Sequence, residues 1–231
     1  MKKTMKKALA IVTCGALLVG GSVMGTLAWF TAQAKPVNNT FKQGEASGNI
    51  AIILDEAEVD EYGVAASPAA RVDNNEYKLV PNHFYVKDPT VTVEKKSEPC
   101  FVYVKLTNGL GDQEMANDGK YLVAGEENTY TNIAAQMAGH GWTLVDGYTD
   151  VYFYKDVVSA TENDVKLPVF DNFVVKQEAV ADDLDAVAPI IIDAYAVQAD
   201  GFVSTKGVAA DAKAALAKVG APAGWTAAVA G

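Results

Sequence analysis

The sequence has few of the residues on which metal binding most often depends. It contains two histidines, His83 and His140. His83 follows a Pro-Asn turn signal and His140 stands between two glycines, and neither has a second histidine at the spacing of a zinc-binding helix. We expect both side chains to lie in surface loops, and we predict no metal site built on them.

Catalytic motifs are also missing from the sequence. No serine lies in a Gly-x-Ser-x-Gly elbow, and there is no glycine-rich phosphate-binding loop. Acidic residues cluster at 55–61 and 182–185, but neither cluster has the spacing of a calcium-binding loop. We interpret both as solvated acidic loops, with weak calcium binding as the alternative. We therefore expect no cofactor and no enzymatic activity.

Cysteine is represented by Cys14 and Cys100 alone. Cys14 lies inside an N-terminal apolar run, whereas Cys100 begins the strand-like segment Cys-Phe-Val-Tyr-Val. If the apolar run is removed, Cys100 has no partner for an intrachain disulfide. We expect it to be a buried structural thiol, as free cysteines usually are.

Basic residues are outnumbered, with 29 Asp and Glu against 19 Lys and Arg. Four of the lysines fall within residues 1–28, which contain no acid, so the rest of the chain carries 29 acids against 15 bases, about −14. Such a charge repels nucleic acids and anionic membrane surfaces. We therefore expect neither as a partner.

The N-terminus has the organisation of an export signal. A lysine-rich start is followed by an uncharged apolar run, and small residues at Thr26 and Ala28 suit a signal peptidase that cuts between Ala28 and Trp29. A second candidate site ends at Ala34. We predict a signal peptide over residues 1–28, contact with the membrane only during export, and a secreted protein at the cell surface or in an extracellular matrix. The alternative is an uncleaved anchor, because 27 uncharged residues can span a bilayer.

Strand signals dominate the remaining chain. Short segments rich in Val, Ile, Tyr and Phe, separated by Gly, Pro, Asn and Asp, are predicted at 49–54, 77–80, 90–94, 101–106, 142–145, 151–155, 173–176 and 190–198. Two helices are expected, a short one at 132–138 inside an insertion and an amphipathic one within 207–219 that ends at Gly220. The pattern predicts a mainly β fold, a jelly-roll or Greek-key β-sandwich over residues 48–231.

Several segments resemble members of the TasA/camelysin family of exported proteins. The first is the junction Gly-Thr-Leu-Ala-Trp-Phe-Thr at 25–31, followed by Asn-Thr-Phe-Lys-Gln-Gly at 39–44 and the strand at 50–56. Residues 87–104 are similar to paired strands of close relatives, and 194–202 to their last strand. The resemblance implies that a SipW-like signal peptidase removes the signal. It also implies a jelly-roll subunit of biofilm-matrix fibres.

In such fibres, the resemblance implies, the mature N-terminal segment of one subunit completes the sheet of its neighbour. Here that segment is 29–47, and the residues expected in the contact are Trp29, Phe30, Thr31 and Phe41. Adding a strand to an open sheet edge would bury the aromatic side chains and pair the edge, with other copies of this chain as partners. The alternative is that the segment folds back on its own subunit.

Two other functions compete with the fibre subunit. The camelysin name denotes a metallopeptidase, although no ligand set for that activity is recognisable in the sequence. A monomeric surface adhesin or ligand-binding sandwich is the third hypothesis, and it predicts a monomer in solution that does not depend on residues 29–41.

Overall fold

The computed structural model describes residues 31–34 and 50–227. The predicted signal peptide, the predicted cleavage residues Ala28 and Trp29, and the aromatic residues Phe30 and Phe41 lie outside the described residues. Of residues 31–34 the backbone alone is described. Within the described residues no helix is long and apolar enough to cross a membrane.

The described chain forms fourteen strands and three α-helices. The strands are β1 (Thr31–Ala34), β2 (Ile52–Ala57), β3 (Arg71–Val72), β4 (Phe84–Val86), β5 (Thr90–Val93), β6 (Ser97–Asn108), β7 (Lys120–Val123), β8 (Glu126–Thr129), β9 (Trp142–Leu144), β10 (Val151–Tyr154), β11 (Val158–Ala160), β12 (Val165–Pro168), β13 (Asn172–Val174) and β14 (Ile190–Gln198). The helices are α1 (Ile133–Gly139), α2 (Ala181–Asp185) and α3 (Val208–Val219). A short 3-10 helix spans Gly111–Gln113.

The strands are arranged in antiparallel sheets. The largest has the order β1-β14-β6-β10-β9, with β11 also paired to β6, and the second has the order β12-β5-β2-β3. The pair β13-β4, whose strands are distant in sequence, and the hairpin β7-β8 form two small sheets. The longest ladder joins β6 to β14 over nine register pairs, from Ile190 opposite Asn108 to Gln198 opposite Cys100.

The two main sheets share one buried hydrophobic cluster. The largest sheet contributes Val102, Val104 and Ile192, and the second sheet contributes Leu54 and Val91. Burying one face of each sheet against the other is the arrangement of a β-sandwich.

The opposite face of the largest sheet is buried as well. Alternate residues of β6 and β14, such as Tyr103, Tyr195 and Val197, pack beneath helix α3 and Trp225. Side chains of a strand alternate between its two faces, so a strand that is covered on both sides has a continuous apolar sequence. This explains the uninterrupted apolar run over residues 100–104 in the middle of β6.

The coarse predictions from the sequence are confirmed. The chain is mainly β, and β14 has the predicted bounds. Helix α3 spans 208–219 with Gly220 as its C-cap, and helix α1 begins after Asn132, whose side chain accepts a hydrogen bond from the Ala135 amide at 2.9 Å. The thiol of Cys100 is free and fully buried, as expected.

The strand predicted at 77–80 is wrong. The backbone of this segment is hydrogen-bonded to the Tyr85 side chain and not to a neighbouring strand. The Tyr85 hydroxyl accepts a hydrogen bond from the Val80 amide at 2.6 Å and donates one to the Lys78 carbonyl at 2.8 Å. The Lys78 amide donates to the carbonyl of Glu61 at 2.7 Å. With its backbone groups satisfied in this way, the segment has no ladder partner.

The two acidic clusters are not both solvated loops, and this prediction is corrected. Strand β2 continues through the first cluster to Ala57, and the side chain of Glu56 is fully buried. The second cluster forms the short helix α2. Acidic residues near a helix N-terminus favour that helix, because their negative charge is attracted to the positive end of the helix dipole.

Candidate functional site

The sequence predicts an assembly contact at an open sheet edge, and the edge that the N-terminal strand covers belongs to the largest sheet. Strand β14 would be the edge strand if β1 were absent, because β6 pairs with its other side. Ile192, Ala194 and Ala196 face the core between the sheets, and all three are fully buried. The strand that covers this edge therefore completes the rim of the main core.

Strand β1 covers part of this edge in the same chain. It runs antiparallel to β14, with Thr31 opposite Val197, Ala32 opposite Ala196 and Ala34 opposite Ala194. It also lies beside β2 of the second sheet, so it sits where the two sheets meet. Of the predicted assembly residues, Thr31 is the one within the described chain, and it is paired. The folded-back arrangement is thus the one seen in this single chain.

Strand β1 pairs with β14 through backbone groups. The same backbone hydrogen bonds would form if a second copy supplied the strand. A four-residue strand forms a short ladder, and such terminal segments open at low free-energy cost compared with central strands. The edge can therefore accept an extended segment of its own chain or of another.

The two histidines have local partners. His140 Nε2 lies 2.9 Å from Asp171 Oδ2, and His83 Nε2 lies 2.9 Å from the carbonyl oxygen of Tyr62. Both side chains are half-buried. Among residues 50–227, no three His, Cys, Asp or Glu side chains lie together as metal ligands would.

A second polar centre, which the sequence did not reveal, lies at one end of the sandwich. Lys87 follows β4, and its Nζ lies 2.6 Å from Glu56 Oε2 in β2. The exposed fraction of the side chain is 5% for Lys87 and zero for Glu56. Such a pair is retained in a core only when further hydrogen bonds satisfy its remaining atoms.

Asn75 supplies those hydrogen bonds. Its Nδ2 donates to Glu56 Oε1 at 3.0 Å and to the Ala57 carbonyl at 2.8 Å, and its Oδ1 accepts from the Val59 amide at 2.9 Å. One carboxylate thus holds the amine of Lys87 on one oxygen and the carboxamide of Asn75 on the other. We call Glu56, Lys87 and Asn75 the buried triad.

A cluster of aromatic rings lies on one side of the buried triad. The Lys87 ammonium lies 5.6 Å from the centre of the Tyr77 ring, and Tyr77 contacts Tyr85 and Phe173 edge to face. Burial, and then the charge of Glu56, raise the pKa of the Tyr77 phenol well above its usual range. The buried side chains of Glu56 and Lys87 are therefore held as a pair, because separated charges are disfavoured at a buried site.

Arg71 closes the outer side of this region. Its guanidinium donates to Asp55 Oδ1 at 2.9 Å and to Asp88 Oδ2 at 2.6 Å, which links β3 to β2 and to the residue after Lys87. Burial opposes its charge, but the hydrogen bonds to Asp88 and Asp55 outweigh this and raise the pKa of Arg71.

A cleft lies next to the buried triad. Its volume is about 470 Å³, and most of its wall comes from the segments that precede β4 and β14. The lining residues are Asn74, Asn75, Glu76, Tyr77, Leu79, Lys87, Leu110, Phe173, Val187, Ala188, Pro189 and Ile190. The wall is mixed, with Asn74, Asn75, Glu76 and Lys87 as polar residues beside aromatic and aliphatic ones.

Comparison with known proteins returned no relative of this chain: no protein-family model, no curated protein and no solved structure matches it.

Proposed function

We propose that this chain is an exported structural protein, a subunit of an extracellular fibre of the biofilm-matrix type, in which the N-terminal strand of one copy pairs with β14 of the next. The observation that carries the proposal is the position of β1. It is a four-residue strand near the N-terminus, and it covers the edge of the largest sheet through backbone pairing.

Exchange of β1 between copies would preserve every hydrogen bond of the pairing. The contact joins the N-terminal segment of one copy to a different surface of the next, so it is head-to-tail and need not close into a ring. Trp29 and Phe30 directly precede β1 in the sequence. Their large apolar side chains would add to the contact and strengthen it.

The finer fold assignment belongs to the same proposal. We infer a jelly-roll or Greek-key sandwich of the TasA/camelysin type. It is supported by ladders between strands distant in sequence, such as β6 with β14 and β5 with both β2 and β12. Long connections between paired strands are typical of Greek-key sheets.

Export and processing complete the proposal. We infer that residues 1–28 direct secretion, that a SipW-like signal peptidase cuts after Ala28, and that the mature protein stays at the cell surface or in the matrix by polymerising. The mature charge of about −14 opposes association of copies, so salt should favour assembly.

A monomeric, ligand-binding sandwich is the second candidate. The pairing of β1 with β14 of its own chain favours it, because a self-complemented edge needs no neighbour. The cleft of about 470 Å³ is large enough for a small ligand.

Electron microscopy of two chains tests the proposal. The chain that starts at Trp29 should form filaments at neutral pH, and the chain that starts at Gly44 should remain monomeric because it lacks β1. Monomers from both chains, at several pH values and with calcium, would contradict the proposal and favour the monomeric sandwich. Bound zinc together with casein hydrolysis by the purified chain would instead favour the metallopeptidase.

A further inference from the structure

We propose that the buried triad forms a covalent cross-link, an amide bond between Lys87 Nζ and Asn75 Cγ, with Glu56 as the proton-transfer group. The inference does not depend on the proposed function, because it rests on three side chains inside one subunit. The geometry in the structure is that of the reactants. Each reacting group is hydrogen-bonded to a different oxygen of the same carboxylate.

The first step is proton transfer from the Lys87 ammonium to Glu56. The hydrogen bond of 2.6 Å already joins the two groups. Both side chains of the pair are almost fully buried, so transfer of the proton exchanges two charges held away from water for two neutral groups. The transfer gives Lys87 the lone pair that a nucleophile requires.

The second step is attack of Lys87 Nζ on Asn75 Cγ. It forms the carbon–nitrogen bond and places a negative charge on Asn75 Oδ1. The Val59 amide donates a hydrogen bond to that oxygen at 2.9 Å, so it is placed to stabilise this charge. Reaction requires the two atoms to approach to about 3–3.5 Å. Both groups are held on the one Glu56 carboxylate, so a change of side-chain rotamer would bring them together.

The third step is departure of ammonia. Asn75 Nδ2 is hydrogen-bonded to Glu56 Oε1 at 3.0 Å, so the protonated Glu56 can protonate the departing nitrogen. The bond from Cγ to Nδ2 breaks, and the Lys87 nitrogen gives up a second proton through Glu56. In total, a lysine ammonium and a carboxamide become one secondary amide and one ammonium ion. No oxidant or cofactor is required.

The cleft beside the triad allows the product to leave. Asn75 and Lys87 both line it, so ammonia released at Asn75 can reach solvent. Its escape would make the reaction irreversible. The cross-link would tie the loop after β3 to the end of β4 and clamp one end of the sandwich. Cys100 is the one cysteine outside the predicted signal peptide, so this bond would take the place of a disulfide.

Peptide mapping by mass spectrometry tests the proposal directly. The full chain is purified, kept folded at neutral pH, then denatured and digested with trypsin. A cross-linked Lys87 resists trypsin, so peptide 72–78 should be joined to peptide 79–95. The mass of the joined species should be about 17 Da below the sum of the two peptide masses, which is the loss of one ammonia. Separate peptides 72–78 and 79–87 would overturn the proposal.

The peptide map is needed because a second reaction loses the same mass. Asn108 precedes Gly109, and cyclisation of such an asparagine to a succinimide also releases ammonia. A lower intact mass without the joined peptide would therefore count against the cross-link.

Three variants assign the roles. Lys87→Arg keeps a cation beside Glu56 but should abolish the joined peptide. Glu56→Gln should also abolish it, because an amide cannot relay the proton. Asn74→Ala, at the adjacent residue, is the matched control and should leave it unchanged. Circular dichroism confirms that each variant is folded. A joined peptide in folded Glu56→Gln would overturn the assigned role of Glu56.

Discussion

Gly109 lies directly against the backbone of Ala188: a Cβ atom built on Gly109 would be 2.1 Å from the Ala188 carbonyl oxygen and 2.4 Å from that of Pro189. Gly109 directly follows the end of β6, and Ala188 and Pro189 directly precede the start of β14. The close approach therefore sets the distance between the two strands at the end of the longest ladder.

We predict that Gly109→Ala destabilises the protein. The obstructing atoms belong to the backbone and cannot rotate away, so the strands must separate, at a cost of about 3 kcal/mol. Urea unfolding followed by tryptophan fluorescence measures the change. The matched control is Gly139→Ala at the end of α1, where no atom lies within 4 Å and the expected change is small. Equal stability of both variants would contradict the close approach.

Removing Lys87 from the buried pair should lower the free energy of unfolding more than replacing it with another cation. Lys87→Met leaves Glu56 buried without its Lys87 partner, whether that partner is the ammonium or the proposed amide, and we expect the free energy of unfolding to fall by about 3–5 kcal/mol. Lys87→Arg, which keeps a positive charge, should lose less. Lys166→Met, at an exposed site of β12, is the surface control. A loss for Lys87→Met no larger than that for Lys166→Met would contradict the burial of the pair.

Asp193 makes the stability of the protein depend on pH. It stands opposite Lys105 in the β6–β14 ladder, and burial raises its pKa although Lys105 opposes the shift. The folded state therefore holds the proton to a higher pH than the unfolded state, and stability falls as pH rises through this window. We predict that Asp193→Asn raises the melting temperature at about pH 7.5 and has no such effect near pH 3, below the unfolded value. A lower melting temperature at neutral pH would contradict the prediction.

Cys100 should be inert in the folded protein. Burial raises the pKa of its thiol to about 12 from 9.0, and the side chain is fully buried. The thiolate is the reactive form, so at pH 8 its population falls about a thousandfold. We predict negligible alkylation by iodoacetamide until the chain is unfolded. Ser159→Cys, at an exposed position of the neighbouring strand β11, provides the reactive control. Rapid alkylation of folded Cys100 would show that the site is open.

Local patterns predicted the elements whose signals are contained in a few residues. Helix α3 combines an apolar stripe with Gly220 at its end, and the β9–β10 hairpin is marked by Asp146 and Gly147 between two apolar runs. Strand β14 is a continuous apolar segment, which a strand buried on both faces requires.

The sequence could not reveal features that depend on distant partners. Glu56 stands in a run of acids and resembles a solvated residue, but its partner Lys87 is 31 residues away. The same applies to Asn75, which orients the Glu56 carboxylate from a loop. The β7–β8 hairpin was also missed, because Leu122 and Val123 are exposed and show no clear alternation. Which chain supplies β1 is likewise a property of the assembly.

Disulfide trapping between two different chains tests the central claim most directly. Ala32 lies opposite Ala196, and residues opposite each other in an antiparallel pair are close enough for a disulfide. A chain carrying Ala32→Cys is mixed with a chain carrying Ala196→Cys, both starting at Trp29, and oxidised under filament-forming conditions. Pairing of β1 in its own chain cannot join two such chains. Ala34→Cys mixed with Ala196→Cys is the off-register control.

Strand exchange predicts a disulfide-linked dimer from the first mixture and little from the control. Monomers from the first mixture, or equal dimer yields from both, would contradict the account.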